Sequence, residues 1–134
     1  MIASTLKIIR MKLPRLTLYE LELMDVLWRR GDGTVQQVCD ELTRPLAYTT
    51  VSTTLNLLHT KKKVLKRVKQ GRAHVYRPAV SRDEVSQAVI TDLRNVLFGD
   101  RIPTLMLGML EDGKFSAEDV QALRAALHKV ESQG

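Results

Sequence analysis

The chain has 134 residues, is 44% hydrophobic and 4% aromatic, and carries 21 Lys/Arg against 15 Asp/Glu, a formal charge of +6. That length holds one domain, or one small domain with an appended arm, and the apolar content excludes wholesale disorder. No run approaches the ~20 apolar residues that cross a bilayer, so membrane insertion is not expected, and a single cysteine excludes a disulfide framework or a Cys-based zinc site and fits a reducing cytoplasm.

Residues 1–15 read as an N-terminal extension. Thr17-Leu18-Tyr19-Glu20 then forms a capping box, with Thr17 as N-cap and Glu20 reaching back from the third helical position. Leu21, Met24 and Trp28 follow at helical spacing, with Leu27 beside them, and Gly31 and Gly33 stop the helix near Arg30. Thr34 is the next N-cap. Val35, Val38 and Leu42 make a short second helix that ends at Arg44-Pro45, because the residue before a proline resists helical geometry.

A third helix starts near Thr49. Val51, Leu55 and Leu58 form its core face. The opposite face carries Thr49, Ser52, Thr53, Asn56 and Thr60, all short, uncharged hydrogen-bonders. Threonine is a mediocre helix former, so a helix this rich in it needs a reason, such as lying close against something that it reads. Two strands and a tight turn at Gln70-Gly71 follow, with Pro78 ending the second strand. Lys66, Arg67, Lys69, Arg72 and Arg77 stud this hairpin.

Ser81-Arg82-Asp83-Glu84 is another capping box. Val85, Ala88, Val89, Leu93, Val96 and Leu97 give a long apolar stripe that ends at Gly99. Ile102, Leu105, Met106, Met109 and Leu110 continue in a shorter helix with Pro103 in its first turn. Ser116 caps a last helix bearing Val120, Leu123, Leu127 and Val130.

The modest net charge hides a division. Residues 1–80 hold 15 Lys/Arg and 6 Asp/Glu, a net +9; residues 81–134 hold 6 against 9, a net −3. No acidic residue lies between Glu41 and Asp83, a stretch with ten Lys/Arg. Such a run points to a polyanionic partner. Three helices and a basic hairpin are the order of a winged helix-turn-helix, whose third helix enters the major groove of DNA. The expected fold is mostly α with a small β wing: a DNA-binding domain over residues 16–80 and a three-helix dimerisation domain over residues 81–134.

Short Thr, Ser and Asn side chains can approach base edges, and Asn56 has the groups for a bidentate pair with adenine. The DNA-contacting set is therefore Tyr48, Thr49, Thr50, Ser52, Thr53, Asn56, Lys61, Lys66, Lys69 and Arg72, with the cations on phosphates. Tyr48 is open between phosphate contact and packing. The last 54 residues contain 18 large aliphatic, Met or Phe residues, too many for so small an arm to bury alone. Pairing with a second copy through Val89, Leu93, Leu97, Ile102, Leu105, Met106, Met109, Leu123 and Leu127 covers them, and a two-fold dimer suits a palindromic site.

The motifs resemble those of the penicillinase-repressor family, the BlaI, MecI and CopY regulators of bacteria. Residues 16–28, LTLYELELMDVLW, are similar to its opening LTxxExxxMxxLW. Residues 47–55, AYTTVSTTL, are similar to its AYTTVxTTL recognition helix. Gly71-Arg72-Ala73 with Tyr76 and Pro78 resembles its GRAxxYxP wing. The resemblance implies a homodimeric repressor seated on a palindrome of double-stranded operator DNA, with a sensor protease as a further partner in some members.

Three departures stand out. Lys61-Lys62-Lys63 replaces the Lys-Gly that usually follows the recognition helix, which forces a non-glycine residue into any left-handed cap. The arm lacks the C-terminal cysteines of copper-responsive members. Cleaved members are cut between Asn and Phe, where this chain has Leu107-Gly108-Met109.

Cys39 reads as structural, Trp28 as core, and His59, His74 and His128 lack metal spacing. No cofactor motif or catalytic constellation is present, so an enzyme is not expected. The alternative function is a winged helix that binds RNA or a protein partner, although the aromatic side chains on which single-stranded bases stack are nearly absent.

Overall fold

The computed structural model describes residues 13–133. The first twelve residues, most of the expected N-terminal extension, lie outside the described residues. The chain forms two compact units that divide between Asp92 and Leu93.

In the first unit, α1 spans Leu18–Arg30, α2 Val35–Glu41, α3 Tyr48–Thr60, β1 Leu65–Gln70, β2 Ala73–Pro78 and α4 Arg82–Asp92. The capping box of α1 is closed in both directions. The Glu20 N–H donates to Thr17 Oγ1 at 3.1 Å, and the Thr17 N–H donates to Glu20 Oε1 at 2.7 Å. Gly31 ends the helix at φ 95°, where a side chain would be strained. Thr34 caps α2 with Gln37 as its reciprocal partner. This helix ends at Glu41, three residues before Arg44, because Leu42 already turns extended and packs on the core with Leu46.

The core differs in detail from the expected stripe. In α1 it is Leu23, Met24, Val26 and Leu27 that are buried, while Leu21 and Trp28 are half-buried. α1 packs against α2, α3 and β2 together, so its buried arc is wider than one face and is rotated from the expected one. Val51, Leu55 and Leu58 of α3 are fully buried, as the periodicity requires.

The strands pair antiparallel from Leu65 opposite Pro78 to Gln70 opposite Ala73. Gly71 and Arg72 make the turn, and Gly71 sits at φ 61°, matching a two-residue hairpin turn that begins with glycine. Gly33 does more than stop a helix. It exchanges two backbone hydrogen bonds with Tyr76, at 2.9 and 2.8 Å, and adds a third edge contact to the hairpin. A Cβ there would press on Arg30 and Leu27 at 3.2 and 3.3 Å.

α4 is rooted on this unit. Ser81 and Glu84 close its capping box, Val85 is buried, and the Trp28 indole N–H donates to the Val80 carbonyl at 2.9 Å. Arg82 lies over the Trp28 ring at 5.0 Å and donates to Asp25 at 2.7 Å. Trp28 is thus a half-buried clamp on the α4 root. The compact unit accordingly runs twelve residues past the hairpin boundary expected from sequence.

The second unit begins with a π-helical segment, Leu93–Phe98, ended by Gly99 at φ 54°. The expected single helix to Gly99 is therefore divided. α5 spans Ile102–Asp112 and α6 spans Ala117–Gln133, the latter capped by Ser116 and Asp119. No residue of these three elements is fully buried.

Candidate nucleic-acid interface

α3 places Thr49, Thr50, Thr53 and Asn56 on its exposed side, with Ser52 half-buried at the margin. Tyr48, the first residue of α3, is 53% exposed, so it is not packed into the core. Two hydroxyls of the helix are turned inward on their own backbone. Thr54 donates to the Thr50 carbonyl at 2.9 Å and Thr60 to the Asn56 carbonyl at 2.8 Å, the local bonding that makes threonine a weak helix former. Among the described residues, the side chains of Thr49, Thr50, Ser52 and Thr53 make no such bond.

The exit of α3 is strained. Lys63 adopts φ 56°, the only positive φ outside glycine among the described residues. Beyond it, the Val64 N–H reaches back to the Leu58 carbonyl at 3.0 Å. The sequence departure from glycine is thus carried as a left-handed lysine, which costs about 1–2 kcal/mol.

Lys62 next to it turns inward. Its Nζ donates to Glu20 Oε1 at 2.6 Å and to the Arg15 carbonyl at 2.9 Å. Burial alone would raise the Glu20 pKa, but the bonds from Lys62 and Thr17 outweigh it and hold the carboxyl below its ordinary value. This pair fastens the far end of α3 to the start of α1.

The wing separates its cations by face. Lys66 stands directly opposite Arg77, whereas Arg67 stands opposite Tyr76 and Lys69 opposite His74. Alternation along β1 therefore sets Lys66 on one face and Arg67 and Lys69 on the other, together with buried Leu65. Arg67 reaches α3: its Nη1 donates to Asn56 Oδ1 at 2.7 Å. Arg67 is absent from the residue set expected from sequence. Its only signal there was membership of the basic hairpin.

The acid-free stretch is partly neutralised from outside itself. Arg44 makes two bonds to Glu22, Lys62 one to Glu20, Arg77 approaches Asp32 at 3.6 Å, and Arg82 binds Asp25. Bonds from Arg82 foremost, and from Arg29, hold the Asp25 carboxyl below its usual range. Lys61, Lys63, Lys66, Arg67, Lys69 and Arg72 have no carboxylate partner among the described residues. All six are exposed, and all lie at the exit of α3 or on the wing. Ordered cations without carboxylates, beside a helix face of small polar side chains, suit a polyanion with readable edges.

In the second unit, Leu97, Met106, Met109 and Leu127 are exposed, Leu93 and Leu123 are at the margin of exposure, and Ile102 and Leu105 are half-buried. Val89 is half-buried in α4 of the first unit. Burial, then the Asp40 charge, pushes the half-buried Cys39 thiol up, which keeps it protonated at neutral pH. No described helix is long and apolar enough to cross a membrane.

Comparison with known proteins gives a consistent picture. The family model described as penicillinase repressor matches residues 16–129. The transcriptional regulator BlaI of Mycobacterium tuberculosis is 36% identical over 125 residues, covering 90% of this chain and 88% of that protein. The penicillinase repressor of Bacillus licheniformis is 27% identical over 120 residues, covering 88% and 93%. A solution structure of B. licheniformis BlaI in monomeric form with a half-operator is 32% identical, covering 54% of this chain and 89% of that one, with a TM-score of 0.47.

Proposed function

The chain belongs to the penicillinase repressor family of transcriptional regulators, and from that premise we propose that it is a cytoplasmic homodimeric repressor of a palindromic operator. One observation carries the reading. Every cation of the acid-free stretch that has no carboxylate partner among the described residues lies at the exit of α3 or on the wing that follows it, and one of them, Arg67, bonds to the exposed α3 residue Asn56. The α3 face, through Tyr48, Thr49, Thr50, Ser52, Thr53 and Asn56, lies in the major groove and reads base edges. Lys61, Lys66, Lys69 and Arg72 hold phosphates and set the register.

The exposed leucines and methionines of α5 and α6, with those around the π-helical segment, pair with a second copy and space two recognition helices for two half-sites. A sensor protease is the further partner that the family suggests, but Leu107-Gly108-Met109 stands where cleaved members are cut between Asn and Phe, so relief of repression does not rest on that same cleavage here.

Selection of bound genomic fragments tests the reading. It should return a short inverted repeat upstream of a small set of genes. Four phosphate contacts per subunit predict a log–log salt slope of about −3.6 per subunit and about −7 for the dimer. A flat salt response, or fragments with no shared motif, would overturn it.

A further inference from the structure

The bond between Arg67 and Asn56 bears on which base the third helix reads. A guanidinium only donates, so the Asn56 atom facing it is the carbonyl oxygen. The 2.7 Å contact joins two exposed residues eleven positions apart, one on the wing and one on α3. In water such a bond is worth little. Against DNA the water leaves, and every polar group of Asn56 then needs a partner, because an unmet one costs far more than an exposed one.

Arg67 supplies a partner for the carbonyl, while the Nδ2 amino group of this exposed residue makes no hydrogen bond among the described residues. A free asparagine offers one acceptor and one donor side by side, which matches adenine N6 and N7. Here Arg67 already occupies one of the oxygen's two lone pairs, and its positive charge disfavours a second donor such as the N6 amino group at the other. What remains, Nδ2 with the other guanidinium N–H groups, is a cluster of donors. In the major groove, guanine presents the matching edge of two acceptors, N7 and O6.

Resting on the function proposed above, we infer that Arg67 and Asn56 form one reading unit that selects guanine over adenine at a single position of each half-site. Arg67 is the specificity-determining residue of the pair. It sets which edge Asn56 presents.

The test measures relative affinity for all four base pairs at each operator position, for the unmodified chain and for Arg67→Ala, Asn56→Ala and the double variant. The unmodified chain should prefer guanine at one position by about tenfold, within the range that one good side-chain–base match provides. Arg67→Ala frees the carbonyl and should shift that position toward adenine by fivefold or more. Asn56→Ala should abolish the preference at the same position, and the double variant should match it there. An even loss of affinity across all sequences in Arg67→Ala, with the guanine preference intact, would make Arg67 a phosphate contact alone and overturn the inference.

A second readout needs no DNA. The Asn56 side-chain amide resonance should move in Arg67→Ala, and an unmoved resonance overturns the pairing while leaving the proposed function standing. Absence of any sequence preference in the unmodified chain overturns both.

Discussion

Removing the Glu20 carboxylate tests how the recognition helix is held. The side chain is 11% exposed, and that of its partner Lys62 is 28% exposed. Glu20→Ala deletes two bonds at once, the one from the Thr17 N–H and the one from the Lys62 ammonium. Half a capping box is worth about 1 kcal/mol. A charge-assisted bond adds about 1.5 kcal/mol at this partial exposure, the low end of its range. The expected loss is about 2.5 kcal/mol, which lowers the melting midpoint by several degrees in a chain of this size.

Urea titration followed by Trp28 fluorescence reads the loss. A double-mutant cycle of Glu20→Gln and Lys62→Met should return a coupling of about 1 kcal/mol or more. The folded pKa of Glu20 lies below the ordinary 4.5, so its contribution is complete above about that pH and is lost as pH falls through the folded value. Glu20→Gln should therefore remove part of the acid limb of the stability profile. Single losses under about 0.5 kcal/mol with no coupling would show that the pair does not hold the end of α3, and the reasoning would fail.

Lys63→Gly should raise stability by about 1 kcal/mol in the same titration, since glycine takes φ 56° without strain. Trp28→Phe keeps most of the ring but loses the donor to Val80 and should cost about 1 kcal/mol. A chain ending at Asp92 should melt cooperatively as a folded unit, whereas one ending at Ser81 loses Arg82 and buried Val85 and should be less stable by about 2 kcal/mol, a difference visible by calorimetry. Arg72→Ala should weaken specific and non-specific duplexes alike and reduce the salt slope by about one, measured by fluorescence anisotropy.

Sequence alone was enough for features made by near neighbours. The caps at Thr17, Thr34, Ser81 and Ser116 are closed over three residues, and short-range bonds need no tertiary information. The core face of α3 followed from helical periodicity, because a helix with Val51, Leu55 and Leu58 on one stripe has one way to bury them. The strained exit was legible through the family resemblance, since Lys61-Lys62-Lys63 stands where Lys-Gly is usual, and the structure puts the left-handed residue at Lys63.

The tertiary structure decided what distant residues do to one another. Whether a cation in the acid-free stretch is free depends on carboxylates 22 and 42 residues away for Arg44 and Lys62, and no local pattern encodes those meetings. The same holds for Arg67, whose reach to Asn56 follows from the hairpin register and from how the wing packs beside α3. The end of the first unit at Asp92 likewise required knowing that Trp28 grips Val80 and Arg82. Local spacing determines helices, caps and turns. Which charges remain exposed, and which way an amide faces, are set by contacts between segments that only the folded chain brings together.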